Sequence, residues 1–315
     1  MLSIRRAVID VGTNSVKLLV AEISERTVLP ILEKSEQTRL GSGFYETHRL
    51  QPDAIAKTAQ AVAQFQSEAL QWQVASIRVI ATSAARDALN QSDLLRAVEQ
   101  ASGLRVEIIS GDQEAEWVFA GVTSDPSLAA QSLIILDVGG GSTEVIVGEG
   151  SVAYFRQSFP LGTVRLLEEL RLSDPPLETD WQSCQARLDD FLVKQVRPTL
   201  EPALRRCSGS SVQLVGTGGT TTILARMQLS LRTFERERLE AVRLTKEDVW
   251  SQQKRLWNLA LEDRRKIAGL PPNRADVILT GVAIFGVFMR EFGFTDLRVS
   301  TRGLRFAAVL PSLTG

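Results

Sequence analysis

The sequence contains very few of the residues that carry metal or disulfide chemistry. Among 315 residues it has one histidine, His48, and two cysteines, Cys184 and Cys207. A single histidine argues against a zinc site, a histidine-based catalytic triad and phosphohistidine chemistry. Two cysteines in these contexts provide neither a disulfide scaffold nor a metal knuckle. We therefore expect a reducing, cytoplasmic location.

The chain also lacks a charge excess and a long apolar run. Lys and Arg total 36 against 37 for Asp and Glu, so no overall field attracts the chain to nucleic acid or to an anionic membrane. No stretch reaches the roughly 18 apolar residues of a membrane span. The first apolar run ends at Asp10, too early for a signal peptide. We expect a soluble protein whose partners include neither nucleic acid nor a membrane.

One pattern occurs twice in the chain. Residues 5–24 read RRAVIDVGTNSVKLLVAEIS, and residues 132–151 read SLIILDVGGGSTEVIVGEGS. Each copy has an apolar run, an Asp, a turn of glycine and hydroxyl residues, and a second apolar run. Each therefore predicts a β-hairpin, with Asp10 and Asp137 in matching positions. The repeat indicates an internal duplication at about half the chain length.

Strands and helices alternate around both hairpins. Downstream of the first hairpin the patterns predict a third strand, a helix over 52–73 and a further strand. They then predict a helix opened by Ser92 or Asp93 and closed by Gly103, a strand, and a helix that begins just after Gly111. The second half repeats hairpin and strand, and then becomes largely helical. This order predicts an α/β fold with lobes at 1–125 and 126–301, and a closing helix at 302–315 that packs back on the first lobe.

The turns of the two hairpins suit phosphate binding. Glycines let backbone N–H groups approach a phosphate, and hydroxyl residues add donors. The candidate phosphate-binding residues are Gly12, Thr13, Asn14 and Ser15; Gly139, Gly140, Gly141, Ser142 and Thr143; and, in a third turn, Gly218, Gly219 and Thr220. A single glycine-rich turn is usually only a tight turn. This chain has three glycine-rich turns, and two of them lie beside an Asp that suits Mg²⁺ or Mn²⁺. Together they predict phosphate binding across a cleft between the lobes.

Several stretches carry a resemblance to a known family. They include DVGTNSVKLLV at 10–20, ATSAARDALN at 81–90, IISGDQEAEWVFAGV at 108–122, LDVGGGSTEVIVGE at 136–149, VGTGGTTT at 215–222 and VSTRGLR at 299–305. Together they resemble the actin, sugar-kinase and chaperone ATPase superfamily and, within it, the exopolyphosphatase / guanosine pentaphosphate phosphatase (Ppx/GppA) family. The resemblance implies two actin-like (ribonuclease H-like) lobes with an inter-lobe cleft.

The resemblance also implies roles for individual residues. Glu114 matches the base that activates water, and Arg86 matches an arginine that meets the phosphates. Asp10, Asp137 and Glu144 match the metal-associated carboxylates. Without the resemblance, Glu114 would be interpreted as a surface charge favoured by a helix dipole.

The chain departs from the family pattern at a few positions. Gln113 and Glu116 stand where the family usually has Glu and Arg, and GLRF replaces GLREG. The sequence also ends about where the two lobes end, without the further helical domains of longer members.

The leading hypothesis is an exopolyphosphatase that uses Mg²⁺ and water to release terminal orthophosphate from inorganic polyphosphate. Hydrolysis of guanosine pentaphosphate is the near alternative, and the absence of further domains favours polyphosphate. A kinase is less favoured, because no acceptor pocket is evident. A non-catalytic polyphosphate or nucleotide sensor is the alternative from another class, suggested by Gln113 and Glu116.

We expect a homodimer. Charge runs at 205–206, 236–246 and 264–266 suit a polyanion path, but such runs are usually solvated helix faces.

Overall fold

The computed structural model describes residues 3–25, 27–207 and 212–311. The chain forms two compact units. The first extends to Ser124 and includes the segment that begins at Leu304, whereas the second extends from Asp125 to Gly303.

The described part of the first unit contains a five-stranded sheet in the order β3-β2-β1-β4-β5. The strands are β1 (Ile4–Val11), β2 (Val16–Ser24), β3 (Thr27–Glu36), β4 (Ser76–Ala81) and β5 (Val106–Ile108). Its helices are α1 (Phe44–Thr47), α2 (Pro52–Leu70), α3 (Ser83–Asp87), α4 (Gln91–Ser102), α5 (Gly111–Thr123) and, from the end of the chain, α14 (Leu304–Ala308). The first three strands are antiparallel, and β4 and β5 run parallel to β1.

The apolar side chains of β1 and β2 form the core of this unit with α2. Ile55, Val62 and Phe65 in α2 are buried at helical spacing, as their periodicity predicts. Trp72 lies within the helix predicted over 52–73, but α2 ends at Leu70 and Trp72 is 37% exposed.

Two predicted helix limits in the first unit are wrong. The N-cap of α4 is Asn90, not Ser92 or Asp93. Asn90 Oδ1 accepts a hydrogen bond from Leu50 N at 2.8 Å, which ties the start of the helix to a distant loop that local sequence does not reveal. The closing helix predicted over 302–315 covers only Leu304–Ala308. Pro311 explains this, because proline disfavours helical backbone in the residue before it; positions 312–315 lie outside the described residues.

The described part of the second unit contains a six-stranded sheet in the order β10-β11-β9-β6-β7-β8. The strands are β6 (Ser132–Val138), β7 (Thr143–Glu149), β8 (Val152–Phe159), β9 (Gln213–Thr217), β10 (Arg243–Thr245) and β11 (Asp296–Val299). The helices are α6 (Thr163–Leu170), α7 (Glu178–Phe191), α8 (Arg197–Leu204), α9 (Gly218–Leu229), α10 (Arg236–Glu240), α11 (Lys246–Trp257), α12 (Leu261–Arg264) and α13 (Ile278–Phe292), with a π-helical turn at Leu192–Val196 and a 3₁₀ turn at Pro272–Arg274. None of the described helices combines the length and apolar character that a membrane crossing requires.

The two units repeat one topology. In each, an antiparallel hairpin continues into a third antiparallel strand, and a strand parallel to the first pairs with its other edge. The order β3-β2-β1-β4-β5 thus matches β8-β7-β6-β9-β11, with β10 added at the edge. The α/β fold and the internal duplication predicted from the two hairpins are confirmed.

Candidate functional site

The turns of the two hairpins have the same backbone structure. Gly12 N donates to Ser15 O at 3.0 Å, and Gly139 N donates to Ser142 O at 2.9 Å. A Cβ added to either glycine would lie within 3.2 Å of that serine carbonyl oxygen. Each turn therefore closes so tightly that a glycine at its start avoids a steric conflict.

Two neighbouring segments hold the first turn in place. Gly41 N donates to Thr13 O at 2.8 Å, and Arg39 N donates to Asn14 O at 3.1 Å. On the other side, Ala84 N donates to Thr13 Oγ1 at 3.3 Å. The Thr13 hydroxyl, a predicted phosphate ligand, thus also joins the turn to the start of α3.

Several buried polar atoms of the first unit have no hydrogen-bond partner in the described chain, and three of them belong to the first turn or to residues next to the strand ends beside it: Asp10 Oδ1, Asn14 Nδ2 and Ser83 Oγ. Asn14 Oδ1 accepts from Gln37 Nε2 at 3.1 Å, so Nδ2 is the end of the amide that stays available. Buried polar atoms in proteins are normally paired. One carboxylate oxygen and two donors are therefore available for a ligand.

Ser83 is a candidate that the sequence analysis missed. Val11 and Ala81 are paired in the parallel register of β1 and β4, so both strands end side by side. Ser83 follows one strand and the predicted turn follows the other. The pairing of β1 with β4 is what places Ser83 beside the predicted turn. Local sequence does not show which strands pair, so it does not identify Ser83.

Asp10 is 6% exposed and lies opposite Lys17 in the β1–β2 register. Burial raises the pKa of Asp10 above its ordinary value, whereas the charges of Lys17 and Arg305 lower it to a smaller extent. An ionised carboxylate in this position is stabilised by a further cation. The position fits the metal-associated role implied for Asp10.

The predicted base and the predicted phosphate-binding arginine contact each other. Arg86 Nη1 donates to Glu114 Oε2 at 3.0 Å and to Ile109 O at 3.2 Å. Glu114 lies in the first turn of α5 and is 7% exposed, so it is not a surface charge at a helix start. The N-cap Ser110, whose hydroxyl accepts from Gln113 N, fixes the start of that helix. Of the two departures beside Glu114, Gln113 is half-buried and Glu116 is exposed.

The two carboxylates of the second unit share one face of the sheet. Asp137 and Glu144 are directly paired in the β6–β7 register. Glu144 is 1% exposed, and its Oε1 accepts from Ser158 Oγ at 2.7 Å. The structure thus brings together the two residues that the resemblance assigns to a metal.

Gly218 leaves room for the Asp137 carboxylate. A Cβ on Gly218 would lie 2.2 Å from Asp137 Oδ1, and the residue has a φ of +84°, which L side chains rarely adopt. A Cβ on Gly303 would lie 3.8 Å from Asp137 Oδ2. Glycine is needed at 218 for both steric and conformational reasons.

The carbonyl groups of the second turn are bonded to the start of α6. Thr163 N donates to Gly139 O at 2.9 Å, and Val164 N donates to Gly140 O at 2.8 Å. Arg165 Nε donates to Gly141 O at 2.9 Å. The Thr143 hydroxyl, another predicted ligand, donates to Leu161 O and anchors the turn. These contacts fix the orientation of the peptide groups at 139–141.

The third predicted turn is absent as a separate element, because α9 begins at Gly218, directly after β9. Gly218 contacts Asp137, whereas a Cβ on Gly219 would meet no atom within 4 Å. Thr220 is 7% exposed, and its Oγ1 lies 3.0 Å from where a Cβ on Gly281 of α13 would stand. The Thr220 side chain therefore packs toward α13 in the interior of the unit.

The charged runs of the second unit are largely ion-paired. Arg236 contacts Glu240, and Lys266 contacts Asp263 at 2.8 Å. Arg264 is buried and lies 3.4 Å from Asp174. These runs form local ion pairs, which favours their interpretation as structural or solvated groups and not as a polyanion path.

The donor set fits a hard divalent ion. Within the described residues, no group of three or more His, Cys, Asp or Glu side chains is arranged to hold a metal. Mg²⁺, however, is commonly held by one or two carboxylates together with waters and substrate phosphates. Asp137 and Glu144 provide such a pair in the second unit, and Asp10 provides an unpartnered carboxylate oxygen in the first.

Comparison with known proteins identifies relatives that are phosphatases. The model of the family described as the Ppx/GppA phosphatase family matches residues 19–313. The chain is 33% identical to "Exopolyphosphatase 2" of Mycobacterium tuberculosis over 94% of both chains. It superposes on the crystal structure of the Aquifex aeolicus Ppx/GppA family member with a TM-score of 0.78 at 30% identity, covering 98% and 96% of the two chains. For an exopolyphosphatase from Cytophaga hutchinsonii the TM-score is 0.85 at 26% identity, with 96% of each chain covered.

Proposed function

Because the chain belongs to the Ppx/GppA phosphatase family, we propose that it is an exopolyphosphatase, a phosphoanhydride hydrolase that releases terminal orthophosphate from inorganic polyphosphate. The observation that carries the proposal is the buried Arg86–Glu114 ion pair, in the same unit as a glycine-rich turn with unpartnered polar atoms. A carboxylate, a guanidinium and phosphate donors are the groups that such hydrolysis needs.

In the proposed reaction Glu114 orients a water molecule and accepts its proton as the water oxygen bonds to the terminal phosphorus. The bridging P–O bond breaks, and the products are orthophosphate and a chain one phosphate shorter. Arg86 holds one oxygen of the Glu114 carboxylate and presents positive charge to the phosphates. Asn14 Nδ2 and Ser83 Oγ donate hydrogen bonds to phosphate oxygens.

A divalent ion, Mg²⁺ or Mn²⁺, is the proposed cofactor. Asp137 and Glu144 would hold it in the second unit, and Asp10 is the further candidate carboxylate. When bound, the ion neutralises phosphate charge that these carboxylates would otherwise repel. The support is the paired register of Asp137 and Glu144 and the space left by Gly218.

Guanosine pentaphosphate remains the alternative substrate. Two of the three relatives reported above are named exopolyphosphatases, which favours polyphosphate. A non-catalytic sensor is less supported, because Glu114 and Arg86 are both present and paired, and the substituted Glu116 is exposed.

The test is orthophosphate release from polyphosphate of defined length and, in parallel, from guanosine pentaphosphate. We expect turnover of polyphosphate with Mg²⁺ or Mn²⁺ and none in excess chelator. Faster orthophosphate release from guanosine pentaphosphate than from polyphosphate would make the nucleotide the substrate in place of polyphosphate. Binding without release of phosphate from either compound would establish the sensor, and full turnover in chelator would refute the metal requirement.

The remaining expectations concern assembly and location. We propose a homodimer in the cytoplasm that binds neither nucleic acid nor membranes. Both cysteines are free and buried, which is compatible with a reducing compartment. Light scattering on the purified protein tests the dimer.

A further inference from the structure

Three arginines lie at the amino-terminal ends of adjacent parallel strands in the first unit. The registers of β1, β4 and β5 place Arg6, Arg78 and Glu107 on one face of the sheet. Arg105 lies directly before β5. The predicted phosphate-binding turn follows the opposite, carboxyl-terminal end of β1.

These side chains line a cavity of about 300 Å³, together with Ser76, the intervening strand residues and Ala308–Leu310 after α14. Three cationic side chains and one carboxylate face it, although the whole chain has a net charge of −1. A local excess of positive charge on a nearly neutral protein favours an anionic ligand. The volume lies at the lower end of the range for small-molecule sites.

Arg78 is fully engaged by the protein. It donates to Ala308 O at 3.1 Å, lies 3.5 Å from Glu107, and stacks over the Trp117 ring at 5.5 Å from the ring centre. The only carboxylate of the cavity is therefore already paired. Arg78 acts as one wall of the cavity.

Arg6 is the arginine without a partner. Its Nε is buried and has no hydrogen-bond acceptor, and it forms no ion pair with the described residues. Arg105, in contrast, has 93% of its side-chain surface exposed, and it pairs with Glu99 at 3.5 Å on the protein surface. Such an exposed side chain can leave this pair and turn toward a ligand. A buried guanidinium N–H without an acceptor is unfavourable. The two Nη groups of Arg6 are not among the buried atoms, and they are the donors that an oxyanion in the cavity would meet.

We propose that the Arg6 cavity is an anion site for phosphate groups, separate from the candidate active site. The forked guanidinium matches two oxygens of a tetrahedral phosphate, and Arg105 supplies a second charge from the rim. Arg6 and Asp10 are both in β1, and at the usual strand rise their Cα atoms are about 13 Å apart. The ligand is orthophosphate or the end of a short phosphate chain.

The test is calorimetric titration of the full chain with orthophosphate and with tripolyphosphate, in chelator so that metal-dependent binding is suppressed. Trp117 stacks on Arg78. A fluorescence change on binding that is seen in the parent and lost in Trp117→Phe therefore places the bound anion near Arg78. We expect Arg6→Gln to weaken binding by about 10-fold or more, as expected for loss of a charge-assisted pair. Arg96→Gln, which removes an exposed arginine paired with Asp93 elsewhere in the unit, should leave binding unchanged.

Orthophosphate binding that Arg6→Gln weakens would identify the free ion as the ligand, and a loss confined to tripolyphosphate would identify a chain end. The proposal is overturned if the parent binds neither compound, or if Arg6→Gln binds both like the parent. If Arg6→Gln does not fold, Arg105→Gln decides: its exposed side chain can be replaced without disturbing the core, and unchanged affinity would then refute the site. Hydrolysis should persist in both variants.

Discussion

Arg86 Nη1 lies 3.0 Å from Glu114 Oε2, and both side chains are largely buried, with 22% and 10% of their surface exposed. The two residues belong to different helices, α3 and α5, and to different sequence motifs. Their contact means that the orientation of the proposed base depends on the arginine. A change at either residue therefore alters the other.

Arg86→Ala should reduce both activity and stability. Removal of one partner leaves a buried carboxylate without its counter-charge, which costs about 3 kcal/mol in a buried pair. The double variant Arg86→Ala/Glu114→Ala should recover part of this loss, because the buried carboxylate is then removed as well, and Asp87, the other partner of Arg86, is exposed to solvent. Urea unfolding of the four proteins in this cycle measures the coupling, and additive losses would show that the ion pair is not energetically significant.

Glu114→Gln should abolish hydrolysis while phosphate binding survives. The amide keeps the size of the side chain but cannot accept a proton from water, and a general base contributes roughly 10²–10⁴-fold to rate. Orthophosphate release and a binding titration of the same protein separate the two effects. Glu116→Gln, in the same helix but exposed, is the matched control and should retain activity. Parent-like hydrolysis by Glu114→Gln would remove the residue from the mechanism.

Gly218→Ala and Gly219→Ala form a pair that tests the Asp137 site. The new Cβ at 218 would lie 2.2 Å from Asp137 Oδ1, whereas at 219 it meets no atom within 4 Å. Displacement of a catalytic group by about 1 Å can cost 10²-fold in rate. We expect a loss of about that size and weaker Mg²⁺ activation for Gly218→Ala alone. Equal activities of the two variants would indicate that Asp137 does not act in catalysis.

Ser83→Ala tests the donor that the sequence analysis missed. Loss of a hydrogen bond to a charged phosphate weakens binding by about 10-fold or more, so KM should rise more than kcat falls. Thr58→Val is the control, because Thr58 Oγ1 is likewise buried without a partner but lies in α2. Its replacement should leave KM unchanged. A KM for Ser83→Ala equal to that of the parent would assign Ser83 to packing alone.

Cys184 should resist thiol reagents in the native protein. Burial, aided by the charge of Glu169, raises the pKa of its thiol from 9.0 to about 12. At pH 8 only about one molecule in 10⁴ then carries the reactive thiolate. The unfolded chain ionises near pH 9 and the native chain does not, so the contribution of this thiol to stability is complete below pH 9 and declines as the pH rises toward 12. Labelling with and without denaturant checks the reactivity, and urea unfolding at increasing pH checks the stability; rapid labelling of native Cys184 would contradict the burial.

Local sequence was enough to predict the two hairpins, because an apolar run, an Asp and a glycine-rich turn specify a strand end and a tight reversal within a few residues. It was also enough for α2, whose buried residues follow the helical period, and for the C-cap of α4 at Gly103. The motifs then identified the family and separately named Arg86, Glu114, Asp137 and Glu144. All of this information lies within short stretches of the chain.

Only the tertiary structure decided how these residues combine. Parallel pairing of β1 with β4 brings Ser83 to the turn that carries Asn14, and helix packing joins Arg86 to Glu114. The same packing turns Thr220 toward α13 and makes Asn90, bonded to Leu50, the start of α4. These outcomes depend on contacts between residues far apart in the chain. Their energies come from burial and hydrogen bonding across elements, which no local pattern of residues encodes.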